Sequence, residues 1–583
     1  MRKKEVEENL TDSWRLYEIG KNYNRLRGLY DEGKENYDYY HDKQWEGLKR
    51  PTNSSEPIVL NIIKPIIKYK TNIVNQSSYE IVFNPNTYET LEDLEILRSV
   101  TKGLNQFLMR IWEKSQSGKK AKKVVKKSAI NSEGIMYFYP KEDTVYSEEI
   151  DKNNIYYGNE SEVEIQNQPY ILVTRRLTVE EVKDMARYYR EKGLNELTDE
   201  EIETITSDMD YYEQQGKEYM MEEISEMCLL IIKFKKNKEG IICCSASTKT
   251  CDIYKNQDTG CKLYPFAHFI WEEEEGYARG ISEVRGLLPN QRELNKTATR
   301  IAIATKIAAF PKLVVDSERV VNRESLNQVG STVELTNMRA DDVSKVISFL
   351  RPAQMSNDAY KLMQDLITQT RELAGAGDNA TGNVDPTQAS GKAILAVQQA
   401  NQMPINEQVD NYKYFLEDCG NIIFDIIKAY FVDGLTLYTT TEEVNDLGQT
   451  ESVQRPFKIS QKELEELDVD IKIDITPQSP YDRLAQEIAL ENMLFKNIIK
   501  FEEYVESLPE GSSMRKPVLE AIIRKRKEVR KQIAVMQQQM NEMDSAIKQE
   551  IINQGGMVDE MSNMQAGGNV SEGTNPEQNN LPM

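Results

Sequence analysis

The sequence predicts an α+β fold that is mainly helical and is divided into several packing units. Its 583 residues exceed what a single hydrophobic core usually holds. Hydrophobic residues make up 39% and charged residues 29%, a balance typical of a globular chain. Short apolar runs with strand character are interspersed with segments of helical periodicity, and no regular βαβ alternation connects them.

The N-terminal half is predicted to begin with helices and to continue as strands between loops. Residues 1–50 are aromatic-rich and helical, and one helix is predicted from Leu91 to about Ala129. Further helical patterns occupy residues 178–192 and 198–206. Strand patterns occur at 79–83, 135–139, 170–174, 229–234 and 241–246.

The middle of the chain is predicted to form a helix, a small β module and a returning helix. Residues 280–310 place one stripe of side chains along a helix, and its alanines would let a neighbouring helix approach closely. This stripe contains Val284, Leu287, Leu288, Gln291, Asn295, Ala298, Ala302, Thr305 and Ala309. Residues 279–309 hold six Lys or Arg against two Glu, a net charge of 6 − 2 = +4. Residues 310–352 are β-rich, and a second amphipathic helix follows to Ala374 with Met355, Ala359, Leu362, Leu366 and Leu373 on one face.

The C-terminal part is predicted to be helical around one further strand. A long helix starts at Asp385 and Pro386, with Pro404 expected to kink it. Residues 469–476 alternate like a half-buried strand. A helix over about 514–552 carries a heptad seam that needs a partner: Val529, Ile533, Met536, Met540, Met543 and Ile547. Residues 553–583 are predicted to be a disordered tail.

This order of parts resembles the portal proteins of tailed double-stranded DNA bacteriophages. The resembling residues are YYHDKQWEG at 39–47, RGISEVRGLLPNQRELNK at 279–296 and DPTQASGKAI at 385–394. The resemblance implies a wing (1–279), a first stem helix (280–309), a clip (310–352) and a second stem helix (353–374). A tunnel loop (375–390), a kinked long helix with the rest of the wing (391–478), crown helices (479–552) and the tail (553–583) would follow.

The resemblance also implies partners and a location. The chain would form a ring of about twelve subunits at one capsid vertex of the virion, after assembly in the host cytoplasm. The ring would be the conduit for packaging and ejection of double-stranded DNA. The large terminase would dock on the clip and supply the work, head-completion and tail adaptor proteins would replace it, and the major capsid or scaffolding protein would surround the ring.

The charge of the whole chain fits guidance of DNA better than wrapping of DNA. The formal net charge is −22, whereas tight phosphate binding requires an excess of Lys and Arg. An acidic wall would instead keep a duplex at a distance. The expected DNA contact is the tunnel loop, through Asp378, Asn379, Thr381, Asn383, Gln388 and Lys392. The alternative is an ordinary flexible connection.

Two basic surfaces are candidates for contact with DNA or with an acidic partner. One is a helical run without acidic residues: Lys119, Lys120, Lys122, Lys123, Lys126 and Lys127. Its alternative is a solvated helix face that balances an acidic chain. The other surface is the stripe Arg292, Lys296 and Arg300, which repeats every four residues. Its favoured interpretation is ion pairing between subunits, with neighbouring acidic residues.

The sequence offers no support for an enzyme, a cofactor or a metal site. The nearest match to a P-loop, at residues 390–393, has Pro386 in place of the first glycine and Ala393 in place of the hydroxyl ligand. The cysteines at 243, 244, 251 and 261 lack the pair spacing of zinc sites. No apolar run approaches the roughly 20 residues of a membrane span. The alternative function is a non-enzymatic helical scaffold or adaptor that does not enclose DNA.

Overall fold

The computed structural model describes residues 10–45, 56–76, 78–85, 91–142, 144–208, 226–309, 312–327, 332–336, 346–350, 357–377, 403–431, 435–444, 450–459, 469–476, 489–496 and 498–508, together with single positions between 522 and 545. The chain divides into two compact units, residues 1–478 and 479–583. Helices and strands are mixed in the first unit, which confirms the α+β prediction.

The first unit opens with helices. These are α1 (Asp12–Leu26), α2 (Leu29–Tyr40), α3 (Ile63–Gln76), α4 (Leu91–Lys114) and α5 (Ser117–Asn131), with strand β1 (Ser78–Pro85) between α3 and α4. The prediction of a single helix over 91–129 was wrong, because the chain turns at Gln116. This residue has a left-handed φ of 52°, which an α-helix does not continue through.

Two antiparallel sheets form the middle of the first unit. The chain contributes β2 (Glu133–Lys141), β3 (Thr144–Ile150), β4 (Ile155–Tyr157), β5 (Ile171–Thr178), helices α6 (Val179–Glu191) and α7 (Asp199–Glu203), then β6 (Met227–Lys236), β7 (Ile242–Ser247), β8 (Asp252–Asp258), β9 (Phe266–Ile270), β10 (Glu272–Glu274) and β11 (Tyr277–Ile281). Strands β4 to β8 pair in sequence order as a five-stranded sheet, and β3-β2-β9 form a three-stranded sheet. Capping boxes at Thr178 and Thr198 start α6 and α7.

A helical hairpin and a second group of strands complete the first unit. The elements are α8 (Glu283–Ala309), β12 (Lys312–Val315), β13 (Ile347–Leu350), α9 (Asn357–Leu373), α10 (Asn406–Tyr430), β14 (Leu435–Val444), β15 (Thr450–Ile459) and β16 (Val469–Thr476). The structure describes the predicted long kinked helix only after residue 402, where Met403–Ile405 is a 3-10 turn and α10 begins at Asn406; the kink at Pro404 stays a prediction. The proline ring, which clashes with a preceding helical turn, explains this start. Residues 378–402 lie outside the described part.

The predicted strands at 79–83 and 469–476 are neighbours although almost four hundred residues separate them. β1 and β16 pair antiparallel with Ile81 opposite Ile473. Ile81 and Phe83 are buried in the largest core, which also contains side chains of α3, α4, α5, β2, β9 and α10. The late strand therefore closes onto the helical body that the early residues build.

The second unit is described over a short helix and scattered helical positions. Helix α11 (Phe501–Glu506) buries Tyr504 and Val505 with Leu508, against Leu490 and Leu494. At the described positions of the predicted heptad helix, Val529, Ile533, Met536, Met540 and Met543 are exposed. Ile547 and the tail at 553–583 lie outside the described positions.

Candidate functional site

The candidate site is the hairpin formed by α8, the β12–β13 pair and α9. The two helices pack on each other, and Asn290 Nδ2 donates a hydrogen bond to Thr370 Oγ1 at 3.0 Å. β12 and β13 pair antiparallel from Lys312 opposite Leu350 to Val315 opposite Ile347. The predicted sequence of a helix, a β module and a returning helix is therefore what the structure shows.

The end of the hairpin nearest the β module is exposed. The predicted stripe of α8 is buried from Val284 to Ala298, whereas residues 305–309 are exposed. On α9 the predicted face divides. Ala359 and Leu366 are half-buried, but Leu362 is 48% exposed and Leu373 is 83% exposed. Several apolar side chains of the hairpin are therefore uncovered in the single chain.

The middle of α8 is fixed by a polar ladder to residues 56–62, here called the strap. The backbone N–H groups of Ile58, Leu60 and Ile62 donate to Thr299 Oγ1, Asn295 Oδ1 and Gln291 Oε1, at 3.0, 3.0 and 2.9 Å. All three acceptor residues are buried. The sequence signal for this ladder is the occurrence of Gln291 and Asn295 in the middle of an otherwise apolar stripe.

The ladder continues into α2 and the turn after it. Asn295 Nδ2 donates to Gln44 Oε1 at 2.5 Å, and Gln44 Nε2 donates to the carbonyl of Tyr39 at 2.8 Å. Trp45 Nε1 donates to the carbonyl of Ile58. The segments 39–47 and 279–296, which carry part of the family resemblance, are thus in contact with each other.

A buried ion cluster lies directly before α8. Arg279 is 1% exposed, and its guanidinium binds Glu133 at 2.6 Å and Glu160 at 2.9 Å, above the ring of Tyr157. His268 Nε2 lies 2.9 Å from the second oxygen of Glu133. Burial alone would raise the pKa of the Glu133 carboxyl, but the charge of Arg279 and the contact with His268 outweigh it and lower this pKa to about 2.

The first residue of α8 is also held by side chains of the body. Glu283 accepts hydrogen bonds from Lys70 Nζ at 2.7 Å and from Trp271 Nε1 at 3.0 Å. The Lys70–Glu283 pair is nearly buried. A carboxylate at a helix N-terminus also interacts favourably with the helix dipole. Sequence reasoning identified none of these anchors, since they depend on contacts between distant segments.

The structure places the basic stripe of α8 among local partners. Arg292 forms an ion pair with Glu35 and donates to the hydroxyl of Tyr39 at 3.2 Å. Arg300 lies 3.3 Å from Glu293. Lys296 is half-buried and forms no ion pair within the described ranges. Two of the three residues are therefore paired with acidic residues of the same chain, whereas the predicted ion pairs lay between subunits.

The six lysines of α5 divide into several environments. Lys120 Nζ donates to the carbonyls of Ser115 and Ser147 at 2.7 and 2.5 Å, and burial lowers its pKa. Lys123 and Lys127 lie 3.6 and 3.5 Å from Glu149, and Lys126 lies over the ring of Tyr40. Lys119 and Lys122 are exposed without an ion pair in the described part of the chain. The basic surface is therefore smaller than the sequence suggests.

The predicted tunnel-loop contacts, Asp378, Asn379, Thr381, Asn383, Gln388 and Lys392, lie outside the described residues. The segments that flank residues 378–402 are in contact. Ala374, Ala376 and Ile405 are buried in the same core, and a Cβ added at Gly375 would lie 3.0 Å from Pro404. The two ends of this region are therefore held together by the body.

The remaining predictions concern cysteines, metals and membranes. All six cysteines are free thiols. Among the described residues, no group of three His, Cys, Asp or Glu side chains could hold a metal ion. No helix in the described ranges is both long enough and apolar enough to cross a membrane.

Comparison with known families gives the class of the protein that carries this hairpin. It is a phage portal protein, a component of the virion capsid. Residues 21–570 match the phage P22-like portal protein family, and the chain belongs to that family. Members of this family are in general structural and non-enzymatic. A search of the curated proteins found no match.

Proposed function

We propose that the chain forms a closed ring whose axial channel carries double-stranded DNA during packaging and ejection. Family membership, together with the hairpin of α8, β12–β13 and α9, is the observation on which this proposal rests. We further propose the assignments wing, stem, clip, tunnel loop and crown with the boundaries given above, and a ring of about twelve subunits.

The exposed apolar residues of the stem support side-by-side assembly. Ile307 is 51% exposed, and Leu362 and Leu373 are exposed on α9. Exposed apolar surface on a soluble protein commonly marks an interaction site. In a ring of identical copies each stem lies between two neighbours, which would cover these side chains without any other protein.

The acidic charge of the chain supports a channel that guides DNA without binding it tightly. At a net charge of −22, the wall would repel the phosphate backbone at most positions. The tunnel loop, with glycines at 375, 377 and 382 and small polar residues between them, is proposed to make weak contacts that do not depend on base sequence.

The clip is the proposed docking site for the large terminase, and later for head-completion and tail adaptor proteins. Val314 and Val321 in this module are 50% and 57% exposed in the single chain. The major capsid or scaffolding protein is proposed to contact the wing. The exposed heptad positions of the second unit are proposed to pair with other copies in the crown.

Electron microscopy of the purified full-length chain, with its solution mass measured alongside, tests this function. We expect closed rings of about twelve 67.2 kDa chains with an axial pore wide enough for a duplex. Samples that remain monomeric are examined again at high concentration and with scaffolding protein, because ring closure can require nucleation. A compact dimer or a filament under all these conditions would overturn the ring and favour the adaptor function.

A further inference from the structure

The polar ladder pairs the extended backbone of the strap with the helix α8. The distance between alternate residues of the first is nearly equal to the distance between every fourth residue of the second. Alternate residues of an extended chain are separated by ~6.6 Å, whereas every fourth residue of an α-helix is separated by ~6.0 Å. Ile58, Leu60 and Ile62 are two residues apart, and their acceptors Thr299, Asn295 and Gln291 are four apart. Each N–H on this side of the strap therefore meets its own side chain on α8.

The lengths of the three acceptor side chains vary in one direction. Gln291 is the longest, Asn295 is shorter and Thr299 is the shortest, yet all three accept at 2.9 to 3.0 Å. The accepting oxygen is therefore covalently farthest from the α8 backbone at Gln291 and nearest to it at Thr299. An exchange of these residue types would not fit the same strap.

The ladder ends on both sides at apolar residues. One turn before Gln291 is Leu287, and one turn after Thr299 is Ile303. If α8 moved along its axis by one turn, one N–H of the strap would face an aliphatic side chain and lose its acceptor. The loss is most unfavourable at Ile62, whose hydrogen bond is buried, whereas those of Ile58 and Leu60 are partly buried. Apolar packing alone discriminates less, because Val284 and Leu288 are also four residues apart, as are Leu294 and Ala298.

We propose that this ladder is a register lock, which sets the axial height and the rotation of α8 on the body through the strap backbone. Asn295 also donates to Gln44, which connects the lock to the body. Within α8, Asn295 accepts from Gln291 Nε2 at 3.1 Å. Gln291 Nε2 also donates to the carbonyl of Leu60 at 2.7 Å. Gln291, Asn295, Thr299 and Gln44 are therefore positioning residues for the stem.

The lock can be tested by hydrogen exchange of the purified full-length chain, resolved to single amides by mass spectrometry. Thr299→Val removes the acceptor with little change of shape, and we expect the Ile58 amide to exchange about tenfold faster or more. Thr299→Ser retains the hydroxyl and is expected to restore slow exchange. Thr297→Val is the matched control, because Thr297 is a buried threonine of the same helix outside the ladder.

A second variant tests the other end of the ladder independently. Gln291→Met retains the length of the side chain but removes its carbonyl, so the Ile62 amide is expected to exchange faster. Unchanged exchange of Ile58 in Thr299→Val and of Ile62 in Gln291→Met would overturn the ladder. Equal acceleration by Thr297→Val would show general loosening of α8 and would overturn it as well.

The effect on register is read from electron microscopy of the assembled Thr299→Val, Gln291→Met double variant. We expect the density of α8 to spread along its axis relative to the three-stranded sheet. Density of α8 as sharp as in the wild type, at the wild-type height, would overturn the positioning role. The exchange experiments require no ring, so failure of the proposed ring and failure of the lock are distinguishable.

Discussion

At the scale of single residues, the buried charges before α8 are the least replaceable feature of the body. All five N–H groups of Arg279 are used: three bind the carboxylates of Glu133 and Glu160, and two bind the carbonyls of Lys152 and Ile155. Such a cluster is stable only while each charge retains its partners, because the surroundings cannot solvate a lone ion.

Arg279→Met is therefore expected to destabilise the chain severely, since Glu133 and Glu160 would remain without their cation. Removal of one partner from a buried ion pair typically costs about 3–5 kcal/mol. Urea denaturation followed by circular dichroism measures this loss. Arg175→Met is the control: its 2.7 Å pair with Glu148 is partly exposed, and we expect a loss of about 1 kcal/mol or less. Equal losses would contradict the special role of the cluster.

The same cluster predicts a dependence of stability on acidic pH. The pKa of Glu133 is lowered to about 2 from its ordinary value of 4.5. A depressed carboxyl pKa stabilises the folded chain above pH 4.5, and this contribution is lost as the pH falls towards 2. We expect Glu133→Gln to flatten the pH dependence of the unfolding free energy in this window. Glu148→Gln, at a partly exposed carboxylate, should retain the wild-type pH dependence of the unfolding free energy. A pH dependence in Glu133→Gln as steep as in the wild type would refute the assignment of this effect to Glu133.

At the scale of elements, local patterns predict more than contacts between distant segments. The alternation in residues 469–476 predicts β16, and the helical stripe in 280–310 predicts α8. One boundary was missed for a local reason, because Gln116 adopts a left-handed conformation that glycine would signal more clearly. The strap has no comparable sequence signal. Its side chains are mostly apolar, and it binds α8 through its backbone N–H groups.

Gly280 lies near the end of β11, three residues before α8, and only glycine fits there. Its φ is 64°, and an added Cβ would overlap the side chain of Ile270 and the carbonyl oxygen of Glu272. Gly276 has a similar φ of 70° but open space around it. Gly276→Ala is expected to cost about 1–2 kcal/mol from conformation alone. Gly280→Ala should lower the melting temperature considerably more, because the β10–β11 backbone must also move. Calorimetry measures both melting temperatures. Equal shifts in the two variants would show that the overlap at Gly280 is relieved without strain.

At the scale of the whole molecule, the chain combines strong internal anchoring with an uncovered hairpin. The ion cluster holds the chain just before α8, Lys70 and Trp271 bind its first residue, and the strap binds its middle. The C-terminal end of α8 and much of α9 are exposed. The hairpin is thus held along its first half and exposes Ile307, Leu362 and Leu373, the side chains proposed to pack against identical neighbours.

This division predicts that assembly and folding can be separated by mutation on α9. Leu362 is 48% exposed in the single chain, so Leu362→Asp should change the unfolding free energy by only about 0.5 kcal/mol or less. In the ring the new carboxylate would be buried against a neighbour, and we expect ring formation to be lost in mass photometry and electron microscopy. Gln364→Asp introduces the same charge at an exposed polar position two residues away and should still allow rings. Normal rings from Leu362→Asp would exclude this face of α9 from the subunit interface, and equal loss in both variants would assign the effect to charge rather than to apolar contact.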